Sequence, residues 1–551
     1  MPVETSMDAL SPYLARVALD WLATDPDARR RTVEGTILFA DVSGFTPLTE
    51  RLARQGKVGA EELTDVLNDV FGRLLAVAAE TGGDLVKFGG DALLLLFTGE
   101  GHARRAAGCG EGLLTALRPF RRFRTGGGWV RLTMSIGFES GDVHLLLVGD
   151  SHRELFAVGS VVSAAVNLEN LAQGGEVLVG PVAAAQLDPA WLRVPDDGPV
   201  VLRGAPLAAA PAAGTVADDV AGRGLPAVLR EYLRSGREDG EHRVASLAFV
   251  QLRGTDELLD AEGPDAVAAA VEAVVVAAQR SCVAHGVTFL ATDVDAGGGK
   301  ILLVAGAPRL GERDEERILL VLHDTVAVQG PLQVRAGVNR GRAFAVDVGT
   351  DERRTYAVMG DATNLAARVM GRGETGEIVA TQALLDHVHG VFELRALEPF
   401  TVKGKSHPVR ASVVGAPTGG RTATAHELPF VGRTPEVAVL TDALESARAG
   451  RGGVVVVTGE PGIGKSRLVA ETLLGHDDIP VIRVEGGRYS AATPYFAVRS
   501  AMRGLIGATL RDDDETVVAR LTASVQQADP GAVPWLPLIA TVVGVDLPDT
   551  P

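Results

Sequence analysis

The chain contains two related segments, and this internal duplication constrains its fold more than any other feature. Gly149 and Gly349 lie in similar stretches 200 residues apart, and the next matching pair, Gly159 and Gly360, is 201 residues apart. One inserted residue, placed near Met359, accounts for the change of offset. Chance is a poor explanation for a register kept over such a length, so the sequence predicts a duplicated domain.

Each repeat has a mixed α/β pattern, and segments rich in alanine, proline, glycine or threonine separate the units. The first repeat begins with an apolar strand and continues through a long helix to a hairpin with arms at 84–88 and 93–97. The predicted organisation is a helical segment at 1–31, a first domain at 32–203, a linker at 204–241, a second domain at 242–415, a linker at 416–427 and a final module at 428–551.

The charge and the cysteine content exclude several classes of protein. The 551 residues carry a net charge of −17, which argues against a nucleic-acid or anionic-membrane partner. Two cysteines are too few for a disulfide framework or a cysteine-based metal site. The start of the chain lacks the pattern of a secretory signal, and no apolar run approaches the roughly 18–20 residues that span a bilayer. We therefore expect a cytoplasmic protein with neither a membrane nor a nucleic-acid partner.

Two aspartates of the first repeat suit a metal site. Asp41 ends an apolar strand, and the glycine-containing turn at 42–46 follows it and could aim backbone N–H groups at phosphate. Asp91 lies in the turn of the hairpin, where a pair of glycines could bring it close to Asp41. Two such carboxylates would form a clamp for two divalent cations in phosphoryl chemistry. Each motif alone favours solvated loop aspartates instead.

The second repeat lacks these carboxylates and carries a different polar pair. Gln251 and Gly299 stand near the positions of the two aspartates, so this repeat is not expected to bind the metals. Asn364 and Arg368 are four residues apart on a predicted helix and share one face. Such a pair is usually an exposed polar stripe, but it could also orient a ribose and neutralise a pentavalent phosphate. The complementary losses favour one composite site.

The final segment contains a phosphate-binding loop. A strand is predicted at 454–457 before the loop, and a helix is predicted at 467–474 after it. The residues expected to surround phosphates and Mg²⁺ are Gly459, Gly462, Gly464, Lys465 and Ser466. No apolar strand with an acidic end follows, and the chain ends before a full ATPase core would fit. We therefore expect a truncated module that can bind nucleotide but does not hydrolyse it.

Three motifs together resemble those of a known family. Residues 39–52, 87–91 and 363–368 are similar to the class III nucleotidyl cyclases. The order of the segments resembles that of the soluble adenylyl cyclases, in which two cyclase domains precede a P-loop ATPase module. The resemblance implies an α/β chain with two ferredoxin-like α+β domains in a pseudo-symmetric pair, an intramolecular heterodimer. The start of a P-loop NTPase α/β domain would follow.

The resemblance also implies a role for each candidate residue. Asp41 and Asp91 would bind two Mg²⁺ or Mn²⁺ ions, and Asn364 would hold the ribose. Arg368 would stabilise the phosphate in the transition state, and Lys403 matches a lysine that contacts the triphosphate. The backbone that would cradle the triphosphate belongs to Val42, Ser43, Gly44, Phe45 and Thr46. The products from ATP would be 3′,5′-cyclic AMP and pyrophosphate.

The positions that select the base in this family are altered. The lysine of the second hairpin is missing near 290–292, and Ala357 stands where the family has an Asp or Thr. Thr292 or Asp293 is the polar residue available to substitute. ATP is the expected substrate and GTP the alternative. Lys87, which belongs to the metal-binding domain, is assigned to the degenerate second pocket and not to base recognition.

Other departures from the family pattern leave a function of a different class open. Ser135 replaces an Arg or Lys that often binds the triphosphate, and Val166 replaces an arginine found in bicarbonate-responsive relatives. A non-catalytic nucleotide sensor that regulates the ATPase module would also fit these losses. The leading prediction is nevertheless an adenylyl cyclase with one site shared by the two domains.

Overall fold

The computed structural model describes most of the chain. The residues described are 10–53, 57–126, 128–209, 220–234, 240–311, 313–388, 390–402, 408–420, 430–459, 463–473, 476, 481–482, 484, 495–508, 514–545 and 547–548. Lys403 and Gly462, both predicted to contact phosphate, lie outside these ranges. For Thr46 and Ser466 the description covers the backbone alone.

The first domain follows the predicted order of strands and helices. Its helices are α1 (Arg16–Thr24), α2 (Phe45–Ala53), α3 (Lys57–Thr81), α4 (His102–Ala116), α5 (Ser160–Leu171) and α6 (Pro181–Ala184). Its strands are β1 (Arg30–Ser43), β2 (Asp84–Gly89), β3 (Ala92–Thr98), β4 (Phe123–Thr125), β5 (Gly128–Val130), β6 (Thr133–Val148), β7 (Glu154–Val158), β8 (Val177–Val179), β9 (Leu192–Arg193) and β10 (Val200–Leu202). The long helix and the hairpin β2–β3 occur where the pattern predicts them.

The second domain repeats this order after a helix in the connecting segment. Its helices are α8 (Thr255–Glu262), α9 (Pro264–His285), α10 (Asp314–Val326), α11 (Asp361–Met370) and α12 (Gln382–Leu385). Its strands are β11 (Glu241–Arg253), β12 (Thr288–Asp295), β13 (Gly298–Ala305), β14 (Gln333–Gly349), β15 (Arg354–Met359), β16 (Ile378–Thr381), β17 (Gly390–Ala396) and β18 (Ala411–Gly420). The predicted linker contains α7 (Ala227–Arg234), because Leu229 packs with the N-terminal segment in an apolar cluster.

The two sheets have the same topology. One has the order β2-β3-β1-β6-β8-β10-β9 and the other β12-β13-β11-β14-β16-β18-β17, with β7 beside β6 and β15 beside β14. In both, the two longest strands pair antiparallel, and the next strand, β8 or β16, runs parallel after a helical crossover. The matching order confirms the predicted pseudo-symmetric pair of domains.

The inserted residue of the second repeat lies in a turn. Val148 pairs with Glu154 in the first hairpin, whereas Val348 pairs with Thr355 in the second, so the second turn is one residue longer. The expectation of an insertion near Met359 is therefore wrong. A turn accommodates an added residue, whereas an insertion inside a paired strand would reverse the facing of every side chain after it.

The two domains share their hydrophobic cores. Phe344 and Met359 of the second domain pack into the core that α3 forms with the first sheet. Conversely, Val148 and Phe156 of the first domain pack into the core of the second, which α9 and α10 cover. The hairpins β6–β7 and β14–β15 thus each enter the opposite domain. The apolar area buried in this way holds the pair in one arrangement.

Helix α9 owes its apolar composition to this packing. It is long and apolar enough to cross a membrane, and no other helix of the described ranges passes that test. Half of its most apolar window is buried inside the protein, and Val267, Val271 and Val275 lie in the second core. The core of the second domain therefore accounts for the apolar face of α9.

The N-terminal segment connects the two domains. The Asp84 carboxylate accepts hydrogen bonds of 3.0 and 2.8 Å from the first two backbone N–H groups of α1 and so stabilises its N-terminus. Arg353, just before β15, donates to the carbonyl oxygens of Pro12 and Leu85, each at 3.0 Å. Burial lowers the pKa of Arg353 to about 10. The segment thereby ties strand β2 to strand β15.

The described part of the final segment is helical. Its helices are α13 (Thr434–Arg448), α14 (Lys465–Leu473), α15 (Phe496–Leu505), α16 (Asp514–Ala528) and α17 (Leu536–Val543). The predicted strand at 454–457 is not formed, and Val454 and Val456 are 90% and 76% exposed. A parallel strand requires neighbours that cover it, and none of the described residues between 430 and 548 pairs with this run.

Candidate active site

A cleft between the two domains brings together residues predicted from both repeats. Its walls come from α2, the hairpins β2–β3 and β12–β13, strand β15 and the start of α11. The space between these walls is continuous with solvent at its mouth. The predicted residues that line it are Phe45, Asp91, Thr292, Asp293, Ala357 and Asn364.

The two aspartates of the first domain lie on neighbouring strands beside this cleft. Asp41 stands opposite Ala92 in the β1–β3 ladder, and the N–H of Val42 donates to the carbonyl oxygen of Asp91 at 3.0 Å. Gly90 has a φ of 75°, a left-handed conformation that lets the hairpin turn tightly. The turn thus carries Asp91 to the end of β1, next to Asp41.

The electrostatics of these two carboxyl groups suit a bound cation. Burial raises the pKa of Asp91 to about 7, and the charge of Asp41 adds to this effect. Burial also raises the pKa of Asp41. No group of three or more His, Cys, Asp or Glu side chains in the described ranges is arranged to hold a metal. Magnesium commonly takes one or two carboxylates together with substrate phosphates, and two aspartates fit that mode of binding.

The backbone between Asp41 and α2 has the form expected of a phosphate cradle. Gly44 has a φ of 114°, and α2 begins at the next residue, Phe45. The first N–H groups of a helix have no partner within it and carry partial positive charge, so they attract anions. Phe45 is 2% exposed and stacks on Phe71 with ring centroids 5.5 Å apart, which fixes the start of the helix. Val42 is buried and Ser43 is exposed.

We expect Gly44→Ala to destabilise the protein by at least about 2 kcal/mol, because the strained φ and the steric overlap add. A methyl group at this position would overlap the carbonyl oxygen of Arg131. Urea unfolding would measure the loss. Gly90→Ala is the matched control, since it also has a positive φ but no heavy atom within 4 Å of the added methyl. Equal losses in the two variants would contradict the steric explanation.

Helix α11 carries the residues predicted to act on ribose and phosphate. Asn364 is half-buried and lines the cleft, whereas Arg368, one turn further on, is exposed. Asn339 Nδ2 donates to the carbonyl oxygen of Ala362 at 2.9 Å, and this bond fixes the helix on strand β14. The structure therefore places Asn364 in the same cleft as Asp91, with Arg368 on the adjoining surface.

The two residues predicted to contact the base present no hydrogen-bonding side-chain group to the cleft. Ala357 lines the cleft from strand β15 and has no polar side-chain group. The Thr292 hydroxyl donates to Glu154 Oε2 at 3.0 Å, and the Thr292 residue is 1% exposed. Its hydroxyl is thus directed into a buried network with the first domain. Neither residue provides the polar contact that base selection requires.

Asp293, the alternative to Thr292, faces the cleft. Its carboxylate oxygens lie 3.0 and 3.3 Å from the position that a Cβ on Gly89 would occupy. Its charge contributes to the raised pKa of both Asp41 and Asp91. A third carboxyl group therefore belongs to the surroundings of the predicted site.

Two family models match the chain. The model of the adenylate and guanylate cyclase catalytic domain matches residues 28–212 and 241–414, which is more than half of the 551 residues. The chain belongs to the adenylate and guanylate cyclase family. The model of the AAA ATPase domain matches residues 429–539. Both matches confirm the predicted order of two cyclase domains and an ATPase module.

Curated relatives of this cyclase-family chain include mammalian adenylate cyclases. Adenylate cyclase type 10 of Rattus norvegicus is 29% identical over 177 residues, which is 30% of this chain and 11% of the rat protein. Adenylate cyclase type 10 of Homo sapiens is 29% identical over 159 residues, 27% of this chain and 9% of the human protein. The matched stretch is thus a small part of the length of these relatives.

Solved structures of cyclase domains are similar to the chain. A class III adenylyl cyclase-like ATP-binding protein from Pseudomonas aeruginosa has 12% identity and a TM-score of 0.46, over 65% of this chain and 85% of its own. The adenylyl cyclase CyaB from P. aeruginosa has 20% identity and a TM-score of 0.28, over 34% and 99%. The guanylate cyclase domain of RhGC from Catenaria anguillulae has 18% identity and a TM-score of 0.29, over 32% and 99%.

The second cyclase domain fills the position equivalent to the Asp41–Asp91 pair with its own side chains. Gln251 takes the place of Asp41 in the strand register, and its Oε1 accepts a hydrogen bond of 2.6 Å from Arg335 Nε. Its amide group donates to Asp295, and Lys300 Nζ lies 3.5 Å from the same carboxylate. Two cationic side chains therefore stand at the position equivalent to that of the two aspartates, and their charge would oppose binding of a divalent cation there.

Lys87 belongs to a buried network between the cyclase domains. Its Nζ lies 3.6 Å from Glu154 Oε2 and contacts the Thr292 hydroxyl. Glu154 Oε1 is 3.1 Å from His152 Nε2. Burial lowers the pKa of Lys87, and the charge of Glu154 opposes that effect. Through these contacts Lys87 connects strand β2 to strands β7 and β12.

The phosphate-binding loop of the ATPase domain is described in part. Helix α14 begins at Lys465, whose Nζ donates to the carbonyl oxygen of Gly459 at 2.9 Å. Gly464, directly before the helix, has a φ of 98°. The glycine, the lysine and the helix start follow the predicted order, whereas the strand expected before them is missing from the described residues.

Proposed function

We propose that the chain is a nucleotidyl cyclase that converts ATP to 3′,5′-cyclic AMP and pyrophosphate at a single site between its two cyclase domains. One observation carries the proposal: Asp91 of the first domain and Asn364 of the second line the same cleft. The position in the second domain that is equivalent to the Asp41–Asp91 pair is occupied by Lys300 and Arg335. Family membership supports the reaction class.

The proposed metal site is the pair Asp41 and Asp91. Bound Mg²⁺ or Mn²⁺ would favour deprotonation of the ribose 3′-hydroxyl and neutralise charge on the triphosphate. The two carboxylates would hold these ions between β1 and the β2–β3 turn. The backbone N–H groups at the start of α2 would bind the phosphates, with Phe45 excluding water from the inner end of the cleft.

The second domain would supply the groups that orient the ribose and stabilise the transition state. Asn364 would hold the ribose so that its 3′-oxygen faces the α-phosphorus. Arg368 would stabilise the added negative charge while the bond from that oxygen to phosphorus forms and the bond to pyrophosphate breaks. Lys403, which lies outside the described residues, would contact the triphosphate. The proton of the 3′-hydroxyl would leave to water.

The decisive experiment measures cyclic AMP and cyclic GMP formed by the purified chain from ATP and GTP supplied together with Mn²⁺. We expect cyclic AMP, and no product from an Asp41→Ala variant that still unfolds cooperatively. Product that persists in Asp41→Ala would contradict the proposed site. Nucleotide binding without any product would replace the cyclase with a nucleotide sensor acting on the ATPase domain.

A guanylyl cyclase is the second candidate, and Asp293 is the observation that favours it. The carboxylate faces the cleft, and guanine carries two adjacent N–H donors that a carboxylate can accept. Ala357 provides no competing polar contact. The amounts of cyclic AMP and cyclic GMP in the same assay distinguish the two substrates.

A further inference from the structure

A cluster of arginines lies on the surface of the first domain, in a chain whose net charge is −17. Between Glu111 and Glu139 the sequence has five arginines and no acidic residue. All five are exposed, and none forms an ion pair with a carboxylate of the residues that the structure describes. Unpaired like charges repel one another, and an anionic ligand would remove that repulsion. We call this cluster the arginine surface; its members are Arg118, Arg121, Arg122, Arg124 and Arg131.

The small hairpin β4–β5 carries part of the arginine surface and is fixed to the domain beneath it. Arg51 Nη1, near the end of α2, donates to the carbonyl oxygen of Trp129 at 2.7 Å. Glu62 Oε1 of α3 accepts a hydrogen bond of 2.7 Å from the N–H of Gly126. The guanidinium of Arg122 lies over the Trp129 ring, 4.7 Å from its centroid. The surface is therefore preformed, which lowers the entropic cost of binding a ligand there.

Two members of the arginine surface line a groove that also has an apolar wall. Arg121 and Arg131 border this groove together with Leu114, Leu117 and Met134, between the end of α4 and the start of β6. Leu117 and Met134 are buried, whereas both arginines are exposed. Such a groove can hold an apolar side chain beside an acidic one, because a guanidinium group binds a carboxylate through two parallel hydrogen bonds. The groove thus suits a ligand with both kinds of side chain.

Nucleic acids and membranes suit this surface less well. The chain has 70 acidic and 53 basic residues, so beyond the arginine surface its charge would repel an extended polyanion. Single-stranded nucleic acids stack their bases on aromatic rings, but Arg122 already covers one face of Trp129. Neither phosphates nor lipid headgroups would fill the apolar part of the groove. A short peptide with acidic and apolar residues meets all of these conditions.

We propose that the arginine surface is a docking site for a peptide segment of a partner protein in which acidic residues flank an apolar one. The carboxylates of the segment would bind the exposed guanidinium groups, and its apolar side chain would enter the groove beside Leu117 and Met134. None of the five arginines lines the cleft between the domains. The inference therefore does not depend on the reaction proposed for that cleft.

The test is fluorescence anisotropy of a short labelled peptide of glutamate and leucine, titrated with the full chain at low ionic strength. We expect binding that weakens as salt is added, since salt screens exposed charges. The same peptide with glutamine in place of glutamate should bind at least about tenfold more weakly. Arg121→Gln and Arg131→Gln should each lower the affinity about threefold, and about tenfold together, as expected for exposed ion pairs.

Arg104→Gln is the matched control for Arg122→Gln. Both residues are exposed arginines of the first domain that lie over a tryptophan ring, Arg104 at 5.7 Å from the centroid of Trp191, but Arg104 is outside the arginine surface. Arg122→Gln should weaken peptide binding about threefold, and Arg104→Gln should leave it unchanged.

Failure of the peptide to bind would overturn the proposal, and so would equal affinity of the wild type and the variant with both Arg121→Gln and Arg131→Gln. Single-stranded RNA and vesicles that contain phosphatidylserine are the competitors. If either one displaced the peptide and bound the chain more tightly than the peptide does, the surface would be assigned to that ligand and the proposed peptide partner would be wrong.

Discussion

Replacing Asp91 by asparagine is expected to lower cyclic nucleotide formation by on the order of a thousandfold. The amide is a weak ligand for a divalent cation, and the charge stabilisation that such ions supply is worth several kcal/mol, where each 1.36 kcal/mol is about tenfold in rate. The loss should appear in kcat with saturating nucleotide and Mn²⁺. Asp197→Asn, on an exposed loop of the same domain, is the control and should retain full activity.

The same substitution should stabilise the metal-free protein above neutral pH. The folded Asp91 has a pKa of about 7, whereas an aspartate in an unfolded chain titrates near pH 4. Between these values the unfolded chain releases a proton that the folded chain keeps, so the wild type loses stability as the pH rises from about 4 to about 7. Asp91→Asn removes this loss. Its melting temperature in a chelator should exceed that of the wild type at pH 8 and match it near pH 4.

A variant with low activity and a lower melting temperature at pH 8 would contradict this account. The combination would show that Asp91 stabilises the fold and that its loss acts through unfolding. A gain in stability together with a loss of turnover is the result expected of a residue that is kept for its chemistry at the expense of stability.

Arg368→Ala is expected to lower kcat by about 10²- to 10³-fold, the range found when one group that stabilises a transition-state charge is removed. The KM for nucleotide should change far less, because Arg368 would act on charge that develops during the reaction. The melting temperature should stay within about 1 °C, since the residue is exposed and its substitution opens no cavity.

Arg395→Ala is the control for Arg368, because it removes an exposed arginine of the same domain that pairs with Glu377 on the surface. It should leave kcat and KM unchanged. A rise in KM with unchanged kcat in Arg368→Ala would contradict the proposed role and would assign the arginine to substrate binding alone. Arg368→Lys should restore only part of the rate, since lysine keeps the charge but lacks the planar fork of donors.

The duplication and the positions of the polar residues in each repeat were sufficient to predict the fold and much of the cleft. Asp91 and Asn364 differ between the copies in complementary ways, and the structure places both in one cleft. That inference works because duplicated domains keep their topology, so residues lost in one copy and kept in the other occupy related positions and can meet where the two domains pack together.

The orientation of the Thr292 and Asp293 side chains could not be predicted from the sequence. Strand β12 contains an irregularity in its pairing between Phe289 and Ala291, and such a bulge reverses the alternation of side chains after it. Both residues line the cleft, but which of them directs its polar group into the buried network with Glu154 depends on this local shift. The space for Asp293 depends further on Gly89, which lies on a strand of the other domain.

The prediction of a strand at 454–457 was wrong for a related reason, because it too depended on contacts outside the segment. Four apolar residues before a phosphate-binding loop match the pattern of a buried parallel strand. Such a run indicates that the strand must be covered by neighbouring elements, but it does not show that those elements are present. Val454 is instead 90% exposed. Local pattern specifies a strand only where its neighbours are present to pair with it.

The exchange of hairpins between the two cores has a consequence for stoichiometry. Because Phe344 and Phe156 each complete the core of the opposite domain, the two halves of the site cannot separate without exposing apolar surface. Their pairing is intramolecular, so it does not weaken on dilution as a contact between separate chains would. For the proposed cyclase, turnover per molecule would then not fall on dilution through separation of the two domains.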